Sequence, residues 1–171
     1  MSMDRHRLAR EVLRERPFFN ALTGAEFDRL INACDLRTLA PREMLWAVGR
    51  QGQSCYILVS GRVEQALTRP PSGRKVEQIA RPGAFLALAY LARPWHHHSS
   101  AMALERSVVL KLDRERFEAM FQAGDTVALR LVDALAENLV QEMRDANERL
   151  HEVFGHPAET LRMLRRRTRN A

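Results

Sequence analysis

The spacing of hydrophobic positions along this chain switches from about 3.6 residues to 2 and back again. From Asp4 to Arg16, Leu8, Val12 and Leu13 recur at helical spacing among basic residues, which predicts a first helix stopped by Pro17, with Phe18 and Phe19 as apolar anchors beyond it. Leu22-Thr23-Gly24-Ala25-Glu26-Phe27 reads as a helix start: Thr23 as cap, Glu26 closing the capping box, and Leu22 with Phe27 as the staple. From Leu36 to Leu112 the period falls to two. Strands are predicted at 36–39, 44–46, 55–59, 62–67, 76–79 and 107–112, with Val48–Ser54 a glycine-bearing loop and Thr68–Arg74 an exposed hairpin tip. Helices resume at Asp113, a good cap with Leu112 and Phe117 placed as a staple, and Gly124 separates that helix from a long last one, roughly Thr126 to Phe154. Many short strands between helical ends predict an α+β chain built on a jelly-roll β-barrel.

The long helix carries a second pattern. Leu129, Val132, Ala136, Leu139, Met143, Ala146, Leu150 and Val153 are separated by alternating steps of three and four, a heptad seam. Leu131 and Leu135 mark a second face in the first half only. The start of the helix is therefore expected to pack on the barrel, and the seam on a partner helix in a parallel homodimer. Gly155-His156-Pro157 ends it, and 158–167 reads as one more short basic helix. The division expected is an N-terminal helix (1–16), a barrel domain (17–124), a dimerisation helix (125–154) and a basic tail (155–171).

One stretch, Gly83 to Ala103, stands apart: nine consecutive apolar residues (Ala84–Ala92), a break at Pro94, then His96-His97-His98-Ser99-Ser100 and a strand-like alternation. Composition narrows what surrounds it. No apolar run reaches membrane-span length, and the charged N-terminus has no signal-peptide core, so a cytoplasmic chain is expected. Cys34 and Cys55 fit packing in a reduced compartment. The net charge of +6 is concentrated near the end, at Arg162, Arg165, Arg166, Arg167 and Arg169, where charge alone could hold nucleic acid or where the tail is simply solvated. Neither a nucleophile–base–acid set nor a phosphate loop is visible, so no enzyme is expected.

The element order and three local motifs resemble the cyclic-nucleotide-binding domain of the Crp/Fnr regulators over about residues 17–154. Phe18-Phe19 with Leu22-Thr23, then Tyr56-Ile57-Leu58-Val59-Ser60-Gly61-Arg62-Val63, then Pro82-Gly83-Ala84-Phe85 carry the resemblance. The resemblance implies a phosphate-binding cassette in the central stretch. There a short helix offers its N-terminal amides to the cyclic phosphate, a Glu binds the ribose 2′-hydroxyl, and an Arg ten residues later pairs with the phosphate. Here the Glu position is Leu88, the preceding Gly is Ala87, and the Arg position is His98, followed by Ser99 and Ser100. Losing two charge-assisted hydrogen bonds of about 1.5–3 kcal/mol each weakens binding by roughly 10²- to 10⁴-fold. Loss or severe weakening of cAMP and cGMP binding is therefore expected.

Several readings of the histidines stay open: weak nucleotide binding through His98 with Ser99 and Ser100, metal ligation through His96 and His98, haem ligation by a histidine or Cys55 as in some relatives, or a solvated loop at the pocket rim. The apolar run either lines a new pocket or fills the old one as core. Crp/Fnr activators continue into a helix-turn-helix domain; only 17 residues follow Phe154 here, so specific DNA recognition is not expected. The reading is a homodimeric regulatory module with a degenerate cassette, no cofactor, no metal and a protein partner. A small-molecule receptor with altered chemistry and a non-specific nucleic-acid binder stand as alternatives.

Overall fold

A computed structural model describes residues 2–69 and 73–154. The chain divides into two compact units, 1–131 and 132–171, with the boundary inside the last helix. The predicted hairpin tip 68–74 is narrower than expected, since Thr68 and Arg69 end one strand and Gly73 and Arg74 begin the next; residues 70–72, the predicted basic helix and the arginines Arg162, Arg165, Arg166, Arg167 and Arg169 lie outside the described residues.

In the first unit, helices α1 (Ser2–Leu13), α2 (Pro17–Asn20) and α3 (Gly24–Ala33) precede eight strands: β1 (Asp35–Leu39), β2 (Met44–Trp46), β3 (Ser54–Ser60), β4 (Val63–Arg69), β5 (Gly73–Ile79), β6 (Phe85–Leu86), β7 (Ser100–Ala103) and β8 (Ser107–Asp113). A 3₁₀ helix, Leu88–Leu91, lies between β6 and β7, and α4 (Arg114–Gln122) and α5 (Thr126–Phe154) follow. The strands form two antiparallel four-stranded sheets, β1-β8-β3-β6 and β2-β7-β4-β5, the two layers of the expected jelly roll. Tyr56, Leu58, Leu86 and Val109 from the first sheet meet Trp46, Val63, Ala101 and Ala103 from the second in one buried cluster. Cys55, Ile57 and Val59 on the opposite face of β3 are buried too, and α1 packs there. A strand covered on both faces reads as a continuous apolar run, which is why residues 55–59 lack alternation.

Local chemistry sets the helix ends. Thr23 Oγ1 accepts the Glu26 N–H at 3.3 Å and Glu26 Oε2 accepts the Thr23 N–H at 2.8 Å, so the capping box forms as expected. That backbone hydrogen bond, then the hydroxyls of Thr126 and Thr23, hold the Glu26 carboxyl down to about 2. Arg29 pairs with Asp125 at 3.2 Å, and Asp125 Oδ1 accepts the Val127 N–H at 2.9 Å. This start of α5 buries Val127, Ala128 and Leu131; of the two second-face residues read from the sequence, Leu131 is buried and Leu135 half-buried.

Three local expectations change. Pro17 opens a short helix, because its missing N–H costs nothing at a first helical position. On α1 the buried face is Ala9 and Leu13, while Leu8 stays 45% exposed; the smaller side chain permits closer packing. Asp113 precedes α4 without a side-chain cap. Its carboxylate instead accepts Ser54 Oγ–H and Lys111 Nζ–H, both at 2.7 Å.

In the second unit, α5 continues from Val132 to Phe154. Along α5 as a whole, Leu129, Val132, Ala136, Leu139, Met143 and Leu150 are exposed and Ala146 is half-buried. The last seam position, Val153, lies within the helix.

Candidate functional site

The central stretch is anchored at both ends by β pairing. Phe85 and Leu86 pair with Ile57 and Tyr56, and Phe18 and Phe19 meet the Phe85 ring at 5.0 and 6.0 Å between centroids. The chain then turns through Ala87, a non-glycine residue in the left-handed region at φ 60°, ψ 31°. Leu88–Leu91 follow as a single tight turn, with the Tyr90 N–H donating to Ala87 O at 3.1 Å. Leu88, Tyr90 and Leu91 are buried, so these side chains pack as core.

Beyond Pro94 the chain runs extended along the loop between β2 and β3. The His97 N–H donates to Arg50 O at 2.8 Å and the Gly49 N–H to His97 O at 2.7 Å; Gln51 and His96 form an isolated bridge. Extended backbone alternates its side chains. His96 and His98 are exposed, while His97 turns inward and keeps only 5% of its surface. Its ring stacks on Trp46 (4.9 Å, 16°) and leans on Tyr90 (4.1 Å, 44°), and Trp46 stacks in turn on Tyr56 (5.7 Å, 24°). Burial, then the charge of His98, lowers the basicity of His97. A Cβ at Gly52 would stand 2.2 Å from Tyr90 Cδ1, so this ring needs a glycine facing it.

The five sequence-predicted positions therefore occupy distinct settings. Ala87 and Leu88 form the turn and the start of the short helix. His98 Nδ1 lies 3.3 Å from the Tyr90 hydroxyl. Ser99 Oγ accepts from Gln65 Nε2 at 2.9 Å, and Ser100 Oγ accepts from the Val48 N–H at 3.1 Å. Each serine still has an O–H to donate. The reading of all three histidines as a solvated rim is corrected for His97, which is core. The alternation that puts only His96 and His98 on one face carried the signal for this. The packing of Trp46, Tyr56 and Tyr90 around His97 is what motif reasoning missed, because the cassette motif names no aromatic. Burial drives the Cys34 thiol up to about 12 and the Cys55 thiol well above its ordinary range, as expected of packing cysteines. Among the described residues no group of three or more His, Cys, Asp or Glu converges, and no helix is long and apolar enough to cross a membrane.

Comparison with known proteins agrees with this architecture. Residues 36–123, just over half of the chain, match the family model "Cyclic nucleotide-binding domain". The chain is 26% identical over 123 residues to the cyclic AMP receptor protein of Thermus thermophilus, covering 72% of this chain but only 57% of that protein. Among solved structures, the catabolite activator protein of Thermus thermophilus superposes with a TM-score of 0.69 at 25% identity, covering 80% of this chain and 62% of that one. The N-terminal domain of a transcriptional regulator from Streptomyces coelicolor A3(2) gives a TM-score of 0.65 at 25% identity, covering 79% and 93%. The chain thus spans less than two thirds of the relatives from Thermus thermophilus. With the jelly roll, the short helix after β6 and the following strand in place, this chain belongs to the cyclic nucleotide-binding domain family, with relatives among the Crp-like regulators.

Proposed function

We propose that this protein is a homodimeric, cytoplasmic regulatory module whose cassette no longer holds cAMP or cGMP and which acts through a protein partner, without catalysis. The roles of its relatives, a cyclic AMP receptor and a transcriptional regulator, support regulation as the class of function. The observation that carries the loss of nucleotide binding is the state of the two positions where the family resemblance places charge. Leu88 is 5% exposed, packed as core, and offers no acceptor to a ribose hydroxyl. His98 is engaged with Tyr90. A ribose docked against Leu88 would leave its hydroxyl desolvated and unpaired, at a cost of about 1–3 kcal/mol. Dimerisation is supported by the exposure of Leu129, Leu139, Met143 and Leu150 in heptad register, an apolar stripe of the kind that a second helix covers.

Thermal unfolding in cAMP or cGMP, together with sedimentation of the same sample, tests this reading. A protein that binds neither nucleotide gains no stability from mass action, so no shift is expected, with a sedimenting mass of two chains and a monomer for Leu139→Glu. Stabilisation by either nucleotide refutes the degenerate cassette. A wild-type monomer refutes the dimer.

A further inference from the structure

Residues 94–98 form a strap from the 3₁₀ helix toward β7, and His97 is its one buried side chain; Pro94, Trp95, His96 and His98 are exposed. Three backbone hydrogen bonds tie the strap to the β2–β3 loop. The Gly52 N–H donates to Trp95 O at 2.8 Å, the His97 N–H to Arg50 O at 2.8 Å, and the Gly49 N–H to His97 O at 2.7 Å. A segment with so little buried surface opens at lower cost than the sheets beneath it. What seats it is the His97 ring between Trp46 and Tyr90.

That ring is seated in its neutral form. A neutral imidazole can leave one nitrogen as a bare acceptor, whereas an imidazolium donates from both. His97 Nδ1 is buried without a hydrogen-bond partner, so in the charged ring it becomes a donor with no acceptor. The surroundings add positive charge. Arg37 of β1, Arg50 of the β2–β3 loop and Lys111 of β8 line one cleft with His97 and Tyr56, and no carboxylate lines it. Glu43 and Asp113, outside that lining, are engaged by Arg37 at 3.3 Å and Lys111 at 2.7 Å. The remaining titratable neighbours are Tyr90, whose hydroxyl burial keeps protonated, and His96 and His98 on the strap itself. Burial first, and then His98, makes His97 less basic than an ordinary histidine.

We propose that His97 is the catch of a proton-released strap: on protonation its ring leaves Trp46 and Tyr90, residues 94–98 part from the β2–β3 loop, and the face of Trp46 opens to solvent. Because the strap runs directly into Ser99 and Ser100, its release also loosens that end of the cassette. The device does not depend on whether the cassette binds nucleotide. A closed ring that takes its proton below 6.5, coupled to an open ring that takes it near 6.5, raises the open fraction by up to about tenfold for each pH unit between the two values.

Trp46 reports the opening. The chain has two tryptophans, and Trp95, 56% exposed, is replaced in Trp95→Phe without touching the core. Emission wavelength and acrylamide quenching of this variant are followed from about pH 8 to about pH 5, with far-ultraviolet circular dichroism on the same samples. A shift to longer wavelength and stronger quenching are expected, in one transition centred below 6.5, with the dichroism unchanged. Adding His97→Phe, which fills the slot without titrating, should remove the transition. Hydrogen exchange of the unsubstituted chain needs no variant. Protection of the His97, Gly49 and Gly52 amides should fall by up to about tenfold per pH unit below 6.5 relative to Val109 in the middle of β8. A transition that survives His97→Phe overturns the proposal, as does one accompanied by loss of the dichroism, which reports unfolding of the whole domain. Unchanged protection overturns it too, since the protonated ring then stays seated on Trp46 as a cation over an aromatic face.

Discussion

Gly52→Ala tests the packing of the central stretch. Glycine-to-alanine changes at permissive positions stabilise by about 0.4–1 kcal/mol, because the unfolded chain loses freedom. Here the new Cβ would stand 2.2, 2.6 and 2.8 Å from Cδ1, Cγ and Cε1 of Tyr90. Ordinary carbon contacts need roughly 3.5–4.0 Å, so the ring must retreat by about 1 Å or more. It has little room to do so: His97 lies 4.1 Å away between ring centroids, and the hydroxyl is held at His98 Nδ1. Overpacking of this kind costs about 1–3 kcal/mol. For a chain of this length that lowers the melting temperature by about 2–12 °C. Urea unfolding of wild type, Gly52→Ala, Tyr90→Ala and the double variant measures it. The glycine variant should lose stability with an unchanged denaturant slope, and should cost nothing further once Tyr90 is alanine. A neutral or stabilised Gly52→Ala, or costs that simply add in the double variant, would refute the argument that this ring is locked against the loop.

Two further expectations follow from the same stretch. Ala87 holds a left-handed conformation that costs a residue with a Cβ about 1–2 kcal/mol, so Ala87→Gly should raise stability by about 0.5–1 kcal/mol after the entropy that glycine adds to the unfolded chain, measured by the same urea titration. His97 is less basic in the folded protein than its ordinary 6.5, first because it is buried and then because His98 is near. Its proton is therefore bound more readily by the unfolded chain. Stability should fall as pH drops below 6.5 and level off below the lowered folded value; His97→Phe should remove that component from a plot of unfolding free energy against pH, and a slope unchanged by the substitution would contradict it.

Elements whose pattern is local are legible in the sequence alone. Thr23 and Glu26 cap each other because both partners lie within one helical turn, and the heptad steps of α5 are visible because a helix repeats its own face. The order of helices, strands and long helix is enough to suggest the jelly roll and the family. The burial of β3 on both faces is less legible, since a continuous apolar run does not distinguish a doubly covered strand from a short buried helix. Asp113 shows the limit most directly. By local rules it caps α4, yet it accepts from Ser54, fifty-nine positions away, as well as from Lys111; although burial alone would raise its carboxyl, those two hydrogen bonds hold it below the ordinary value.

By itself, then, the sequence determined the order of helices and strands, the capping box of α3 and the heptad spacing of the last helix, because each shows as a pattern along the chain. Tertiary structure alone decided that His97 lies between Trp46 and Tyr90, that Gly52 faces the Tyr90 ring, and that Arg37, Arg50 and Lys111 line one cleft with Trp46 and His97. These residues are brought together by strand register and by a loop crossing between sheets. Pairings that close over tens of residues leave no period along the chain from which they could be read.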